Sequence, residues 1–203
     1  MQVEFLLDYR SPYAYLANTQ MKALSSVVYT PIDIVAVMNK VNNQPSPLCP
    51  PKARYAGLDA GRWAKHYGVA FSPNGALLQA MGTRQFDGAL LARAALAAQE
   101  LGVFGQVNDV LFEAVWAGSD DLVTEEGRSA FLRDRKIAAT DLWRLASAPK
   151  IVERLAKQSQ EAADRDVFGV PTFFVEGEMF FGNDRLNFVQ ARLRYTSMDG
   201  AIV

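Results

Sequence analysis

The sequence predicts an α/β fold whose sheet is assembled from the two ends of the chain. Short apolar runs typical of buried strands lie at 3–8 and 27–38, and two more lie at 172–175 and 179–181. Between them, residues 58–166 carry apolar side chains at helical spacing nearly throughout. The expected element order is therefore β-α-β, then many helices, then β-β-α, and the helices form a large all-helical insertion between the two halves of the sheet.

The first helix is predicted to begin within the segment DYRSPYAYLA, residues 8–17. Ser11 supplies a hydroxyl of the kind that caps helix N-termini, and Pro12 suits the first helical position because no N–H is needed there. This helix and the strands on either side of it form a unit whose length favours a parallel pair with a right-handed crossover.

The composition changes after the second strand. Residues 39–55 contain four prolines and two adjacent asparagines, which predicts a long loop, and such loops are more often functional than idle. We assign 1–38 and 167–203 to one domain, and 39–166 to this loop plus a helical insertion domain. The tail at 196–203 has no periodicity, so we expect it to be disordered.

The C-terminal part is predicted to form a hairpin followed by a last helix. A short turn, Glu176 to Glu178 with Gly177 at its centre, separates the two apolar runs. Asn183 or Asp184 is expected to cap the helix that follows.

Composition excludes several classes of function. With 21 basic and 22 acidic side chains, the chain has no charge excess that would favour nucleic acid or an anionic membrane. No apolar run approaches the ~18 residues of a membrane span, and the first residues lack the pattern of a signal peptide. Cys49 is the only cysteine, which excludes an internal disulfide and favours a reducing compartment. We therefore expect a cytoplasmic protein.

Most familiar catalytic motifs are absent from the sequence. His66 is the only histidine and no G-x-S-x-G motif frames a serine, so a serine or cysteine triad is not indicated. One histidine and one cysteine make a zinc site improbable, and we expect no metal. No glycine-rich phosphate loop occurs either. For His66 and Cys49 a structural role is the simpler interpretation.

Two features remain: Ser11 at the start of a helix that follows a strand, and Val170-Pro171-Thr172 before another strand. In this β-α-β/β-β-α frame they resemble the thioredoxin fold, in the branch that holds DsbA-type oxidoreductases, kappa-class glutathione transferases and 2-hydroxychromene-2-carboxylate isomerases. In the oxidoreductases the helix opens with Cys-x-x-Cys. Here residues 11–14 contain no thiol, so dithiol–disulfide exchange is excluded.

The resemblance to the isomerases covers nearly the whole chain. Its matching segments are DYRSPYAYLA at 8–17, RWA at 62–64 with YG at 67–68, VFGVPTFF at 167–174 and FGNDRL at 181–186. Kappa-class transferases are similar at 43–45 and at Lys52, and less similar at 182–185.

The resemblance implies that the protein binds glutathione. The N-terminus of the first helix carries unpaired N–H groups and a partial positive charge, so a glutathione thiolate would be stabilised there, with the Ser11 hydroxyl as donor. Ser11 is not expected to attack the substrate itself, because no base is available to activate it. The family pattern implies a cis bond between Val170 and Pro171, which would expose backbone groups for pairing with the cysteinyl segment of glutathione.

Further residues are assigned to the site on the same resemblance. Asn183 and Asp184 are expected to bind the glutamyl ammonium and carboxylate, and Lys52 and Asn43 the other carboxylate or the substrate. Candidates for the substrate side are Arg54, Tyr55 and Arg84. We expect several aromatic residues to pack in the core rather than form a substrate platform: Phe173, Phe174, Phe180, Phe181, Trp116 and Trp143.

The activity that the resemblance implies is a glutathione-dependent cis–trans isomerisation of 2-hydroxychromene-2-carboxylate or a related aromatic-degradation intermediate, through reversible addition of the thiolate to an unsaturated 2-oxo acid. Two alternatives remain open. One is a kappa-class-like glutathione transferase that conjugates its substrate irreversibly. The other is a thioredoxin-fold module without thiols that binds a partner protein. The resemblance also implies a homodimer.

Overall fold

The structure is a computed structural model and describes residues 2–24 and 26–199. The strands in these ranges are β1 (Val3–Leu7), β2 (Val27–Pro31), β3 (Thr172–Val175) and β4 (Glu178–Phe181). The helices are α1 (Pro12–Gln20), α2 (Ile34–Lys40), α3 (Pro50–Tyr67), α4 (Gly75–Gly82), α5 (Ala89–Glu100), α6 (Phe104–Trp116), α7 (Glu125–Asp134), α8 (Leu142–Ala146), α9 (Pro149–Asp164) and α10 (Leu186–Asp199).

The strands form a mixed sheet in the order β2-β1-β3-β4. β1 runs parallel to β2 and antiparallel to β3, and β3 runs antiparallel to β4. The two central strands therefore come from opposite ends of the chain, and the helices from α3 to α9 lie between the two halves in sequence. This confirms the α/β fold with a β-α-β/β-β-α sheet and a helical insertion.

The second strand is shorter than the sequence suggested. β2 ends at Pro31, and 34–38, which we expected to continue it, belong to α2. The side chain of Asp33 begins this helix by accepting hydrogen bonds from the backbone N–H groups of Val35 (3.1 Å) and Ala36 (3.3 Å). The Asp33 cap therefore starts a helix here, although the β-branched residues that follow it favour a strand.

The proline-rich loop is also shorter than the predicted 39–55. A 3₁₀ turn occupies Ser46–Leu48, and α3 already begins at Pro50. Two of the four prolines thus lie in the first helical turn, where a missing N–H breaks no hydrogen bond. The last part of the predicted loop, 50–55, is helical.

The predicted hairpin between β3 and β4 is present, with a turn one residue shorter than expected. Glu176 and Gly177 form it with positive φ angles of 51° and 83°, and β4 begins at Glu178. A two-residue turn with both φ angles positive matches the twist of antiparallel strands.

The last helix begins in a different way from the expected cap. A 3₁₀ turn, Asn183–Arg185, leads into α10, and Gly182, which has no side chain, occupies the capping position. The side chains of Asn183 and Asp184 make other contacts. α10 continues to Asp199, so 196–199 are helical, and 200–203 lie outside the described residues. The expected disorder of the tail stays a prediction.

Aromatic residues fill the core around the sheet, as expected for most of them. The Phe5 ring stacks on Phe173 with centroids 5.1 Å apart and meets Tyr29 edge-on at 5.7 Å. Phe174 and Trp116 are also buried, and Phe180 and Trp143 pack against the same core. Phe181 is the exception, because 41% of it is exposed.

A buried polar network fastens the helical insertion to the N-terminal part of the chain. The Tyr9 hydroxyl donates to Asn108 Oδ1 at 2.8 Å, and Asn108 Nδ2 donates to Asn18 Oδ1 at 2.8 Å. Asn18 Nδ2 in turn donates to Asp109 Oδ1 at 2.7 Å. These bonds join Tyr9, before α1, and Asn18, in the last turn of α1, to α6, so each partner is costly to remove.

No helix within 2–24 or 26–199 has the length and apolar character needed to cross a membrane. The division of the chain into 1–38 with 167–203 and 39–166 stays a prediction.

Replacing Asn108 by leucine should destabilise the fold by about 2–4 kcal/mol, because the buried Tyr9 hydroxyl and Asn18 carbonyl lose their partner together. The free energy of urea-induced unfolding measures this. Gln106→Leu, an exposed position on the same helix, is the control and should unfold near the wild-type midpoint. Equal midpoints for the two variants would contradict the role given to the network.

Candidate active site

The candidate site lies at the start of α1, where Ser11 makes two hydrogen bonds with its side chain. Ser11 Oγ accepts from the backbone N–H of Ala14 at 3.1 Å, which confirms the predicted cap. The same hydroxyl donates to the carbonyl of Val170 at 3.0 Å. The structure therefore brings together the two sequence features on which the family resemblance rested.

A buried ionic cluster fixes the turn that presents Ser11. Asp8 is 0% exposed, and its Oδ1 accepts from both the backbone N–H and Nε of Arg10 at 2.9 Å. Asp8 Oδ2 accepts from Arg10 Nη2 at 2.5 Å and from the backbone N–H of Ile34 at 2.9 Å. The carbonyl of Asp8 accepts from the Ser11 N–H at 3.1 Å, so the end of β1 and the start of α1 are held as one unit.

Arg10 extends this cluster to α2. Its Nη2 donates to Asp33 Oδ1 at 2.6 Å, and the backbone N–H of Asp33 donates to Ser159 Oγ at 2.9 Å. Burial alone would lower the pKa of Arg10, but the two carboxylates outweigh it and raise the pKa above its ordinary value. Arg10 is therefore a fixed cation whose charge is already neutralised by the protein.

The segment before β3 forms the opposite wall of the site. The peptide bond between Val170 and Pro171 is cis, as the resemblance implied. The Pro171 carbonyl accepts from the Gly182 N–H at 2.9 Å, and Thr172 Oγ1 donates to the Gly169 carbonyl at 2.8 Å. These bonds leave the backbone conformation of this segment little freedom.

Two backbone donors next to Ser11 are available for a ligand. Among the residues that the structure describes, no acceptor pairs with the N–H of Tyr13 or the N–H of Val170. The first belongs to the open N-terminus of α1, and the second to the residue whose carbonyl contacts Ser11. Neutral donors beside a helix N-terminus suit an anion or an extended peptide.

Helix α3 flanks the site with a carboxylate held by two tyrosines. The Tyr13 hydroxyl donates to Asp59 Oδ2 at 3.0 Å, and the Tyr55 hydroxyl donates to Asp59 Oδ1 at 3.5 Å. Burial and the hydrogen bond to Asp59 raise the pKa of Tyr13 well above its ordinary value, and the charge of Asp184 adds to this effect. Tyr13 thus remains a protonated donor at neutral pH.

The turn before α10 is held to the end of α3. The Tyr67 hydroxyl donates to the Asn183 carbonyl at 3.1 Å, and Asn183 Nδ2 lies 3.4 Å from the same hydroxyl. Asn183 is only 3% exposed, so its side chain supports the turn from inside. Asp184 is exposed and forms an ion pair with Arg185 at 2.6 Å.

Asn43 also lies beside the segment before β3, since its Nδ2 donates to the Phe168 carbonyl at 2.9 Å. Lys52 and Arg54 are exposed on the first turns of α3, and Arg84 is exposed in the loop after α4 with a positive φ of 61°. Within the described ranges no side-chain hydrogen bond or ion pair connects these three cations to Ser11. Their assignment to a ligand stays a prediction.

His66 is exposed on α3, where its ring contacts Trp63 and Tyr67. Cys49 is a half-buried free thiol just before the same helix. No group of three or more histidine, cysteine or acidic side chains suited to a metal ion occurs in the part of the chain that the structure describes.

Sequence reasoning assigned no role in the site to Asp59, to Tyr67 or to the ionic partners of Arg10. Tyr13 could have been predicted as a site residue, because it lies in the first helical turn after the capping serine. Asp59 lies 46 residues after Tyr13 in the sequence and Tyr67 lies further still, so no local pattern relates them to the start of α1. Only the packing of α3 against α1 identifies them.

Burial of tyrosine hydroxyls should make the folded state less stable at alkaline pH. Burial raises the pKa of five tyrosines: Tyr9, Tyr13, Tyr15, Tyr29 and Tyr67. In the unfolded chain these groups ionise near pH ~10, so their stabilising effect is complete below that pH and is lost as the pH rises further. The free energy of unfolding should fall above pH ~10, and less steeply in Tyr13→Phe. An unchanged free energy over this range would contradict the burial of these hydroxyls.

Comparison with known proteins agrees with this geometry. A family model described as a DSBA-like thioredoxin domain matches residues 2–194. The 2-hydroxychromene-2-carboxylate isomerase of Pseudomonas putida is 31% identical over 212 residues, covering 95% of this chain and 94% of that protein. The isomerase of the same name from Pseudomonas sp. (strain C18) is 31% identical over 195 residues, covering 91% and 86%.

A solved structure of a 2-hydroxychromene-2-carboxylate isomerase has the same fold, with a TM-score of 0.80 and 25% identity over 99% of this chain and 98% of that one. The relatives support an isomerase activity for this chain. The chain belongs to the DSBA-like thioredoxin-domain family and, within it, to the family of 2-hydroxychromene-2-carboxylate isomerases.

Proposed function

We propose that the protein is a glutathione-dependent cis–trans isomerase of 2-hydroxychromene-2-carboxylate or a related aromatic 2-oxo acid. The observation that carries the proposal is the contact between Ser11 and Val170, because it brings a hydroxyl at the N-terminus of α1 beside the segment before β3. Within the described residues, the N–H groups of Tyr13 and Val170 have no acceptor. Two relatives with 31% identity are isomerases named for this substrate.

The residues present fit a glutathione thiolate. The free N–H of Tyr13 and the dipole of α1 favour a negative charge at this position. The unpaired N–H of Val170 suits the backbone of an extended cysteinyl segment. No side chain near Ser11 acts as a base toward its hydroxyl, since both of its hydrogen bonds go to backbone atoms. Ser11 is therefore a donor and not a nucleophile.

Ser11 must change its partner to serve a thiolate. A hydroxyl has one hydrogen, and Ser11 gives it to the Val170 carbonyl. A peptide N–H that displaces the hydroxyl from this carbonyl would free the hydroxyl to donate toward sulfur. In this way binding of the peptide backbone and stabilisation of the thiolate are coupled through one hydrogen bond.

The remaining contacts are assigned to the turn before α10, the loop after α2 and the first turn of α3. Asp184 is exposed and is proposed to bind the glutamyl ammonium. Because the Asn183 side chain is buried and the Arg185 N–H donates to the Gly182 carbonyl, we assign the glutamyl carboxylate to the backbone N–H groups of Asn183 and Asp184. Lys52 and Asn43 are proposed to bind the other carboxylate.

Bound glutathione would supply the thiolate that adds reversibly to the conjugated double bond of the substrate and departs after rotation about the resulting single bond. The protein lowers the pKa of the thiol through neutral donors and holds the substrate in place. Arg54, Tyr55 and Arg84 are proposed to bind the 2-oxo acid, since their side chains are exposed and the substrate carries a carboxylate. We further propose a cytoplasmic homodimer.

The direct test follows the ultraviolet absorbance of 2-hydroxychromene-2-carboxylate after addition of the protein, with and without glutathione. Glutathione should be required, and Ser11→Ala should lower kcat/KM by about 10- to 100-fold, because a hydrogen bond to a charged group contributes about 1.5–3 kcal/mol. Ser129→Ala, an exposed serine on α7, is the control and should retain full activity.

Other outcomes separate the alternatives. Equal rates without glutathione would overturn the mechanism, and no rate at all would overturn the substrate. A stable thioether among the products would identify a transferase. Absence of glutathione binding in calorimetry, with Ser11→Ala affecting stability alone, would support a binding module without catalysis.

A further inference from the structure

Two phenylalanine rings lie exposed against each other at the edge of the sheet. Phe168 is 40% exposed and Phe181 is 41% exposed, and their ring centroids are 4.5 Å apart at an angle of 55°. An isolated exposed aromatic side chain is ordinary, but two that pack on each other form a continuous apolar surface. We call Phe168 and Phe181 the aromatic pair.

The aromatic pair lies at the same end of the sheet as the start of α1. The register places Phe181 opposite Thr172, and Thr172 opposite Leu6, one residue before the end of β1. Phe168 is two residues before Val170, whose carbonyl accepts the hydrogen bond from Ser11. The aromatic pair therefore lies on the segment that contains Val170, since Phe168 belongs to this segment and the Phe181 ring packs against Gly169.

The surrounding residues hold the aromatic pair in place. A Cβ atom on Gly169 would lie 2.5 Å from Phe181 Cε2, so only glycine allows the ring to approach the backbone this closely. The Phe168 carbonyl accepts from Asn43, and the Gly169 carbonyl accepts from Thr172. The rings are thus kept exposed by a fixed backbone.

We propose that the aromatic pair is the platform on which the aromatic ring of the substrate packs. This inference rests on the proposed function, which requires a planar aromatic acid beside a thiolate at Ser11. Aromatic contacts on a fixed surface discriminate a planar ring from an aliphatic chain of similar volume. The pair therefore selects aromatic 2-oxo acids, while charged residues elsewhere bind the carboxylate.

Phe168→Ala and Phe181→Ala should each raise KM for the aromatic substrate about three- to tenfold while kcat and the affinity for glutathione stay near wild type. Phe188→Ala is the matched control, since Phe188 is 53% exposed on α10 and should leave KM unchanged. Phe181→Leu keeps an apolar side chain of similar size and should still raise KM. Circular dichroism verifies that the variants fold.

A second readout needs no turnover. Calorimetry should show that a stable aromatic 2-oxo acid binds the wild-type protein more tightly than an aliphatic 2-oxo acid, and that Phe168→Ala and Phe181→Ala abolish this preference. Unchanged preference in both variants would overturn the platform, as would a loss of glutathione affinity equal to the loss for the aromatic acid. Failure of the wild type to bind glutathione would instead overturn the proposed function. The preference for the aromatic acid, compared between wild type and variants, would still test the role of the aromatic pair.

Discussion

The site depends on one hydrogen bond, from the Ser11 hydroxyl to the Val170 carbonyl, which joins residues 159 positions apart in the sequence. The bond can form because β1 and β3 are antiparallel neighbours, so the end of β1 and the start of β3 meet at one edge of the sheet. A long helical insertion between them is tolerated because the entropy of closing a loop grows slowly with its length. Each contact that we propose for glutathione is arranged around this bond.

The charges near Ser11 restrict how a thiolate can be stabilised. Arg10 lies closest in sequence, but Asp8 and Asp33 already neutralise it. Asp59, held by Tyr13, adds negative charge on the α3 side. A thiolate must therefore rely on the helix N-terminus and on neutral donors, whose effect in a partly buried site exceeds their effect in water. Under the proposed function, a hydroxyl would therefore serve at the position where a redox enzyme has a thiol.

Sequence reasoning identified the parts of the site that are encoded locally. Ser11 was predicted because a capping hydroxyl followed by proline marks a helix start, and Val170-Pro171 because the family pattern includes it. The platform residue Phe181 was expected in the core, and its exposure depends on its place at the edge of the sheet, which no local pattern specifies. Asp59 was missed for a related reason, since its neighbours are set by helix packing. The prediction of a strand up to residue 38 was wrong because Asp33 caps the start of a helix, α2, within this range.

The measurement that tests the central claim most directly is the pKa of the glutathione thiol in the complex, followed through the ultraviolet absorbance of the thiolate. In the wild type it should lie well below the ~8.5 of a free cysteine thiol. In Ser11→Ala it should move back toward that value, because the helix N-terminus remains and the hydroxyl donor is lost. The same pKa in both proteins would contradict the role assigned to Ser11, and a pKa at the free value in the wild type would contradict the site itself.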